Sequence, residues 1–324
     1  MKAKLALAAS VIVALLATDA PLSQAADKSC AEPVETEGAS PRDYRPIFQS
    51  CVNDAGVRKL ATRRMFAGEE ALLLAVDPMS LATSLERARC WRCQDASDAD
   101  QAETRLLRAL QKPERDASTP TVLENAGLLH GKGAGSFVTG DLCPSRRPLN
   151  RDFLDLLAKE GAGTPVALAL SGRWMVNHGA DLDWLKRKAA NGALNITWIN
   201  HSYHHPYARD RPDAQTFLLT PGVDMDEEIF DTERLMIANG LTPSVFFRFP
   251  GLVSDPALME KLRERHLVAL GADSWLALGP RPREGSIVLV HPNGNEPVGL
   301  AIFARLLERG RIPKPLRRIE EAPR

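Results

Sequence analysis

Short apolar runs alternate with amphipathic helical stretches over the second part of the chain, from about residue 121. The runs typical of strands are Gly135–Thr139, Thr164–Leu170, Asn195–Asn200, Ser244–Arg248, Leu267–Gly271 and Ser286–Val290. The stretches with helical periodicity between them are Arg151–Glu160, Asp181–Ala190, Asp226–Asn239 and Pro256–Arg265. Such alternation predicts an α/β fold with a parallel sheet, either open or closed into a barrel.

Residues 26–120 do not follow this rhythm, and we predict that they form a small N-terminal α/β extension. Its expected elements are helices around Asp54–Phe66 and Leu81–Arg89, a strand at Ala71–Val76, a helix at Ala102–Leu110 and a charged linker at Gln111–Pro120. The sheet and its helices are expected over residues 121–310. A C-terminal tail follows at residues 311–324.

The first 25 residues have the pattern of a secretory signal peptide. Lys2 and Lys4 flank the start of an apolar run, Leu5–Ala17, and Ser23-Gln-Ala25 supplies small residues for cleavage near Ala25. The run is too short for a membrane span, and no lipobox-like Leu-x-x precedes Cys30. We therefore predict an exported protein, periplasmic in a Gram-negative host, with no stable membrane anchor after cleavage.

Charge and cysteine content narrow the class further. The chain has 41 basic and 41 acidic residues, so nothing in its charge favours a nucleic-acid partner. The cysteines stand at 30, 51, 90, 93 and 143, an odd number, which predicts disulfides plus one leftover thiol in an oxidising compartment. Cys90 and Cys93 have redox-motif spacing, but no thioredoxin-like βαβ pattern frames them. A structural disulfide is favoured, and a thiol oxidoreductase is the weaker alternative.

Polar side chains stand where the apolar runs end. Asp141 follows the first run, His201 the third, Asp273 the fifth and His291 the sixth, while Arg248 closes the fourth. The carboxyl ends of parallel strands lie on one face of an α/β fold, where active sites form. The sequence therefore predicts that these side chains share one rim.

His201 and His205 are the candidate metal ligands. They are four residues apart, and a helical turn there would place both rings on one face. Two imidazole nitrogens at about 2.0–2.1 Å suit a divalent metal such as zinc. His204 lies off that face, so we expect it to support the site rather than bind the metal.

The histidine pair and the polar residues at the strand ends belong to short motifs. In their order along the chain, these motifs resemble those of the polysaccharide deacetylase superfamily, the NodB-homology group or carbohydrate esterase family 4. His201-Ser-Tyr-His-His205 resembles its His-Ser/Thr-x-x-His metal motif, and Phe247-Arg-Phe-Pro-Gly251 its Arg-x-Pro groove motif. Asp273-Ser-Trp275 resembles its Asp-x-Trp segment, and Ile287-Val-Leu-Val-His291 its Leu-x-His motif. The resemblance covers about residues 130–310 and implies a distorted parallel (β/α) barrel.

The first motif of the family, Thr-Phe-Asp-Asp-Gly-Pro, is altered here to Thr139-Gly-Asp-Leu-Cys-Pro144. In this register Asp141 takes the place of the catalytic base. Leu142 takes the place of the aspartate that completes a His-His-Asp metal site, and leucine cannot bind a metal.

The resemblance implies a metal-assisted hydrolysis of N-acetyl groups on a glycan, with zinc as the expected metal. By position Asp141 is the base and His291 the acid. Arg248 is expected to pair with Asp141, and Asp273 to hydrogen-bond His291. The backbone N–H near Gly251 is expected to stabilise the oxyanion. The aromatic rings expected to stack on sugars are those of Tyr207, Trp275 and Trp198.

The altered motif leaves a second hypothesis open. The chain is either an exported deacetylase or an impaired relative that binds a carbohydrate or another partner without turnover. Leu142 favours the impaired relative. The retained set of polar residues at the strand ends favours the enzyme.

Overall fold

The computed structural model describes residues 28–110, 118 and 121–323. The chain divides into two compact units, Met1–Glu32 and Pro33–Arg324, and the first contains a single 3₁₀ turn at Lys28–Ala31 among its described residues. The predicted signal peptide lies outside the described residues, as does the predicted linker apart from Ser118. Within the described ranges, none of the helices has the length and apolar character of a membrane span.

The second unit contains all of the strands and α-helices described below. The strands are β1 (Arg42–Val52), β2 (Arg58–Ala67), β3 (Glu70–Val76), β4 (Thr83–Arg87), β5 (Arg92–Asp95), β6 (Leu123–Glu124), β7 (Phe137–Leu142), β8 (Thr164–Leu170), β9 (Leu194–Asn200), β10 (Phe246–Phe247), β11 (Val253–Ser254), β12 (Val268–Ala269), β13 (Ser274–Trp275) and β14 (Ile287–Val290). The helices are α1 (Arg105–Ala109), α2 (Arg151–Ala158), α3 (Gly172–Asn177), α4 (Gly179–Ala190), α5 (Met225–Ala238), α6 (Pro256–Glu264) and α7 (Pro297–Glu308).

A seven-stranded parallel sheet in the order β12-β10-β9-β8-β7-β14-β13 forms the centre of this unit. Laid flat, six strand spacings of about 4.8 Å would separate the edge strands β12 and β13 by about 29 Å. Only residues 270–273 connect these two strands, and that connection spans at most about 18 Å. The sheet must therefore curl, and the predicted distorted parallel β/α barrel is confirmed.

The two faces of β7 show how this barrel is filled. Val138 and Leu142 pack into a cluster with α2, α3 and α7, whereas Phe137 belongs to a second cluster inside the barrel. This is the two-residue alternation of a strand. Asp141 therefore faces the interior, and its neighbour Leu142 faces the helices.

The interior is closed at the amino ends of the strands. Phe137 and Ile287 share their cluster with Leu60 and Val76 of the N-terminal sheet and with Ile319 near the end of the chain. All five side chains are at most 2% exposed. The barrel consequently opens to solvent at its carboxyl rim.

The sequence predicted most of the barrel elements with small shifts at their ends. The strand at Thr164–Leu170 matches residue for residue, and Asp255 caps α6 by accepting a hydrogen bond from the Leu258 N–H at 2.7 Å. The helices α3 and α7 were missed. The boundary at residue 120 between extension and barrel stays a prediction.

The N-terminal region is a five-stranded antiparallel sheet in the order β4-β3-β2-β1-β5. The strand expected at Ala71–Val76 is confirmed, but the helices expected at Asp54–Phe66 and Leu81–Arg89 are wrong, since β2 and β4 occupy them. The register of β2 against β3 shifts between Ala61 and Arg63. That irregularity buries consecutive residues, so the apolar spacing no longer follows a strand's alternation.

The cysteines form structural bridges rather than a redox pair. Cys51 is bonded to Cys93 and joins β1 to β5. Cys90 is disulfide-bonded, as the favoured structural interpretation predicted, but its partner is not Cys93, so the weaker alternative of a thiol oxidoreductase with these two cysteines as its redox pair is wrong. Among the described cysteines only Cys143 is free.

A buried ion pair attaches the N-terminal sheet to the barrel. Arg63 of β2 donates to Glu233 of α5 through Nε at 2.8 Å and Nη2 at 3.2 Å. The hydroxyl of Tyr44 donates to the same carboxylate at 2.7 Å. The Arg63 and Glu233 side chains are each 1% exposed, so neither charge has water as an alternative partner.

We expect Glu233→Gln to lower the free energy of unfolding by about 3–5 kcal/mol, because it leaves the Arg63 guanidinium buried without a counter-charge. Chemical denaturation of the mature protein measures this. The matched control is Glu69→Gln, whose carboxylate meets Arg42 in full solvent and should give no measurable change. Equal effects of the two substitutions would show that the docking of the sheet does not depend on the buried pair.

Candidate active site

A cavity of about 370 Å³ opens at the carboxyl ends of the parallel strands. Its polar lining consists of Asp141, Cys143, His201, His205, His291, Asn295 and Glu296. Tyr207, Gly251 and Trp275, the predicted substrate-binding residues, line it as well. Of the side chains predicted to share one rim, Asp141, His201 and His291 line this cavity together with His205, whereas Arg248 and Asp273 are not part of its lining and Cys143 is an unexpected member.

Asp141 is held by Arg248 inside the barrel. The Nη1 of Arg248 donates to Asp141 Oδ1 at 3.1 Å, and its Nη2 donates to Thr139 Oγ1 at 3.1 Å and to the Gly271 carbonyl at 3.3 Å. Arg248 is 0% exposed and Asp141 3%. This is the contact expected from the sequence, and it fixes the position of the carboxylate inside the barrel.

His201 follows β9 and is fixed through its backbone and its ring. Its N–H donates to the Leu170 carbonyl, and its Nδ1 lies 2.7 Å from the carbonyl oxygen of Arg248. With the Nδ1 proton engaged there, Nε2 carries the lone pair and points into the cavity. Burial opposes protonation of His201, but the Asp141 carboxylate and the Cys143 thiolate raise its pKa above the usual value.

His205 meets His201 without the helical turn that the spacing suggested. The chain runs irregularly from His201 to Pro206, with left-handed backbone at Ser202 (φ 65°) and His205 (φ 49°). Pro206 has no N–H for a helical hydrogen bond, so a helix cannot continue there. The two rings nevertheless lie 4.8 Å apart at an angle of 69°.

Cys143 is the functional candidate that the sequence reasoning missed. It comes directly after β7. The Ser171 hydroxyl fixes the end of this strand by donating a hydrogen bond to the Leu142 carbonyl at 3.0 Å. Asn293 fixes the next carbonyl by donating to Cys143 O at 3.0 Å. The Sγ of Cys143 lies 3.4 Å from His201 Nε2.

One ligand atom each from Cys143, His201 and His205 lie within 4.8 Å of one another. Two imidazole nitrogens and a thiolate form a donor set that zinc uses in proteins. Burial would raise the pKa of the Cys143 thiol, but the charges of His205 and His201 and the hydrogen bonds with them lower it well below its usual value. The chemistry of the donors thus fits a divalent metal. The alternation of side chains along β7 could have indicated Cys143 from the sequence. If Asp141 faces inward and Leu142 outward, the next side chain, that of Cys143, returns to the interior.

Asp273 is not at the rim, and its expected contact with His291 is wrong. Its carboxylate accepts from the Ile287 N–H at 2.9 Å and lies 2.7 Å from His130 Nδ1. Ile287 begins β14, and His291 stands four residues further on, about 13 Å along the strand. The reason is the pairing of β13: Trp275 lies opposite Leu289, which places Asp273 opposite the start of β14 rather than its end.

Glu296 occupies the position expected for Asp273. Its Oε2 lies 3.0 Å from His291 Nδ1 and accepts from Trp275 Nε1 at 2.9 Å. Burial lowers the pKa of His291, but hydrogen bonds with Cys143 and Glu296 outweigh it and raise that pKa to about 10. His291 is therefore protonated at neutral pH. Glu296 precedes α7, a helix that the sequence analysis did not find, so this partner was missed with it.

The substrate-side residues shape the mouth of the cavity. Gly251 has a φ of 62°, and a Cβ there would meet the Phe217 ring at 2.4 Å, so both backbone and space require glycine. Tyr207 stacks on Phe217 with ring centroids 5.2 Å apart and is 63% exposed. Trp198 instead packs in the helix-facing cluster, so it is a core residue and not a sugar platform. His204 points away and pairs with Glu228 at 2.8 Å.

We expect Leu142→Asp to destabilise the fold by at least about 3 kcal/mol, because it removes a fully buried leucine and places a carboxylate among helix side chains. Zinc affinity should not rise, since position 142 faces away from the histidines. Thermal unfolding and zinc titration measure the two effects, with the exposed Leu278→Asp as control. Tighter zinc binding at unchanged stability would restore the register suggested by the family motif.

Comparison with known proteins gives the following matches. No protein-family model matches the chain. A family 4 carbohydrate esterase from Bacillus anthracis is 19% identical, with a TM-score of 0.44 over 63% of this chain and 97% of that one. The chitin deacetylase of the fungal pathogen Colletotrichum lindemuthianum is 15% identical, with a TM-score of 0.42 over 59% and 89%. A family 4 pseudoenzyme from B. anthracis is 18% identical, with a TM-score of 0.36 over 58% and 66%. The three solved structures are thus a family 4 carbohydrate esterase, a chitin deacetylase and a family 4 pseudoenzyme, each under 20% identical to the chain.

Proposed function

We propose that the chain is an exported, metal-dependent hydrolase that removes N-acetyl groups from a glycan. One observation supports this above the others: a single cavity brings together a carboxylate held by a guanidinium, two histidine rings 4.8 Å apart and a third histidine whose pKa is raised to about 10. Amide hydrolysis needs these three capabilities, namely a base, an electrophilic centre and an acid. The disulfides fit an exported protein, and we place it in the periplasm or outside the cell.

In this proposal His201 and His205 hold the metal, with zinc as the favoured ion. A bound divalent metal supplies a Lewis acid for the acyl carbonyl and lowers the pKa of a coordinated water. Gly251 lines the cavity, and its backbone N–H is the proposed donor to the negative charge that would build on the carbonyl oxygen.

The proton transfers belong to Asp141 and His291. Asp141 lies 3.8 Å from His201 Nε2, so its carboxylate is beside the metal position and can take a proton from an attacking water. Arg248 holds it in this orientation. His291, protonated on both ring nitrogens, gives a proton to the leaving amine while Glu296 holds Nδ1. Trp275 and Tyr207 offer rings at the cavity mouth for sugar stacking.

Replacing the acid or the base should reduce turnover and leave metal binding intact. We expect Asp141→Asn and His291→Asn each to lower kcat by about 10²–10⁴-fold, the usual contribution of a positioned acid or base. Acetate release from acetylated glucosamine oligomers measures this, beside zinc affinity. His204→Asn, a neighbouring histidine directed away from the cavity, should keep its activity. Full activity in either of the first two variants would remove that residue from the mechanism.

Glu296→Gln should move the alkaline limb of the kcat–pH profile to lower pH. The carboxylate raises the pKa of His291, so its loss lowers the pH at which the acid loses its proton. Asp273→Asn is the matched control, because Asp273 contacts the start of β14 and not His291, and it should leave that limb in place. A shift with Asp273→Asn and none with Glu296→Gln would reverse the assignment.

The second candidate function is a carbohydrate-binding relative without turnover. The altered first motif favours it, because Cys143 and not a carboxylate faces the two histidines, while Leu142 faces the helices. In that case calorimetry would show acetylated oligomers binding to the zinc-loaded protein, while no acetate is released. Such a result would replace the hydrolase by the binding protein.

A further inference from the structure

Cys143 is an ionisable group in the cavity that the proposed reaction leaves without a role. Its Sγ faces the two histidines where the superfamily motif would bring a carboxylate. The nearest carboxylate, Asp141, is engaged by Arg248 through Oδ1, and its Oδ2 is 3.8 Å from His201 Nε2. A third ligand from the side chains therefore comes most directly from sulfur.

The separation of the donor atoms agrees with coordination. A tetrahedral ion at about 2.05 Å from nitrogen and 2.3 Å from sulfur holds those atoms about 3.6 Å apart. The observed distance between Cys143 Sγ and His201 Nε2 is 3.4 Å. The farthest pair in the set is within 4.8 Å, so a shift of about 1 Å completes the arrangement.

A buried polar atom without a hydrogen-bond partner points to the same site. The Nε2 atom of His205 is buried and has no hydrogen-bond partner among the described residues. Buried polar atoms without partners are rare in folded proteins, and a bound ion is one of their explanations. His201 is prepared for a ligand role as well, since the Arg248 carbonyl fixes its Nδ1 proton and leaves Nε2 with a lone pair.

The state of the other cysteines gives an independent argument. Cys30, Cys51, Cys90 and Cys93 are disulfide-bonded, and Cys143 is free at the edge of an open cavity. An accessible thiolate in a disulfide-forming compartment is prone to oxidation. Coordination to a metal would protect the sulfur, which explains how a free thiol can persist there.

We propose that Cys143 is the third protein ligand of this metal site, and that its thiolate selects thiophilic ions such as zinc over oxygen-seeking ions such as magnesium or manganese. Soft sulfur ligands favour zinc and cobalt-like ions, while carboxylate and water favour magnesium and manganese. The inference rests on the proposed function only in placing a metal at the two histidines.

The test uses cobalt as a spectroscopic probe of the mature wild-type protein after removal of metal by a chelator. Cobalt addition should produce the near-ultraviolet sulfur-to-cobalt charge-transfer band, and Cys143→Ser should abolish it. We expect the same substitution to lower zinc affinity by at least about 10-fold, the minimum cost of losing even an outer partner of a ligand. Cys143 is the only free thiol among the described residues, so a band cannot come from another of them.

Two further measurements keep the result clear of folding effects. In the wild type, zinc but not magnesium should protect Cys143 from alkylation. Mass spectrometry measures the extent of this alkylation. Cys143→Asp should still bind metal without the charge-transfer band, with its preference moved towards manganese. An unchanged zinc affinity and band in Cys143→Ser, or equal alkylation with and without zinc, would overturn the proposal. Wild type that shows the band but releases no acetate would contradict the hydrolase alone, and would leave the sulfur ligand in place.

Discussion

The buried guanidinium of Arg248 is the point on which the geometry of the cavity depends. Its side chain donates hydrogen bonds to Asp141 and Thr139 on β7, while its backbone carbonyl accepts a hydrogen bond from His201 Nδ1. One residue thus sets the position of the proposed base and the direction of a proposed metal ligand. Because Arg248 is fully buried, its charge depends on these protein partners, and the partners in turn depend on it.

The two halves of the site are carried by different parts of the barrel. The half that we propose for metal binding follows β7 and β9, and the half that we propose for proton donation lies between β14 and α7. They meet because β14 pairs directly with β7, so that Val290 lies opposite Gly140. The pairing of two strands distant in sequence therefore brings His291 to the same cavity as Asp141 and Cys143.

The barrel and most of the candidate site could be predicted from the sequence, because both follow from the spacing of apolar and polar residues along the chain. Buried parallel strands appear as continuous apolar runs, and polar residues after them collect at one rim. Asp273 was misplaced because a residue following β12 also precedes β13, and only the observed pairing decides between the two ends of the barrel. Glu296 was missed for a different reason: its partnership with His291 spans a loop whose course no periodicity describes. In the N-terminal sheet, the irregular register of β2 obscured the alternation that would have marked a strand.

The closure of the barrel interior by Phe137, Ile287 and the side chains from the N-terminal sheet has a kinetic consequence. The cavity is a blind recess and not a tunnel, so a polymer cannot be threaded through it and retained between reactions. A small product formed at the bottom would have to leave past the sugar that remains in the mouth, or wait until that sugar departs. If the proposed hydrolysis takes place in this recess, release of the first product would be coupled to the residence time of the chain it came from, and the rings of Tyr207 and Trp275, which line the cavity, would contribute to both.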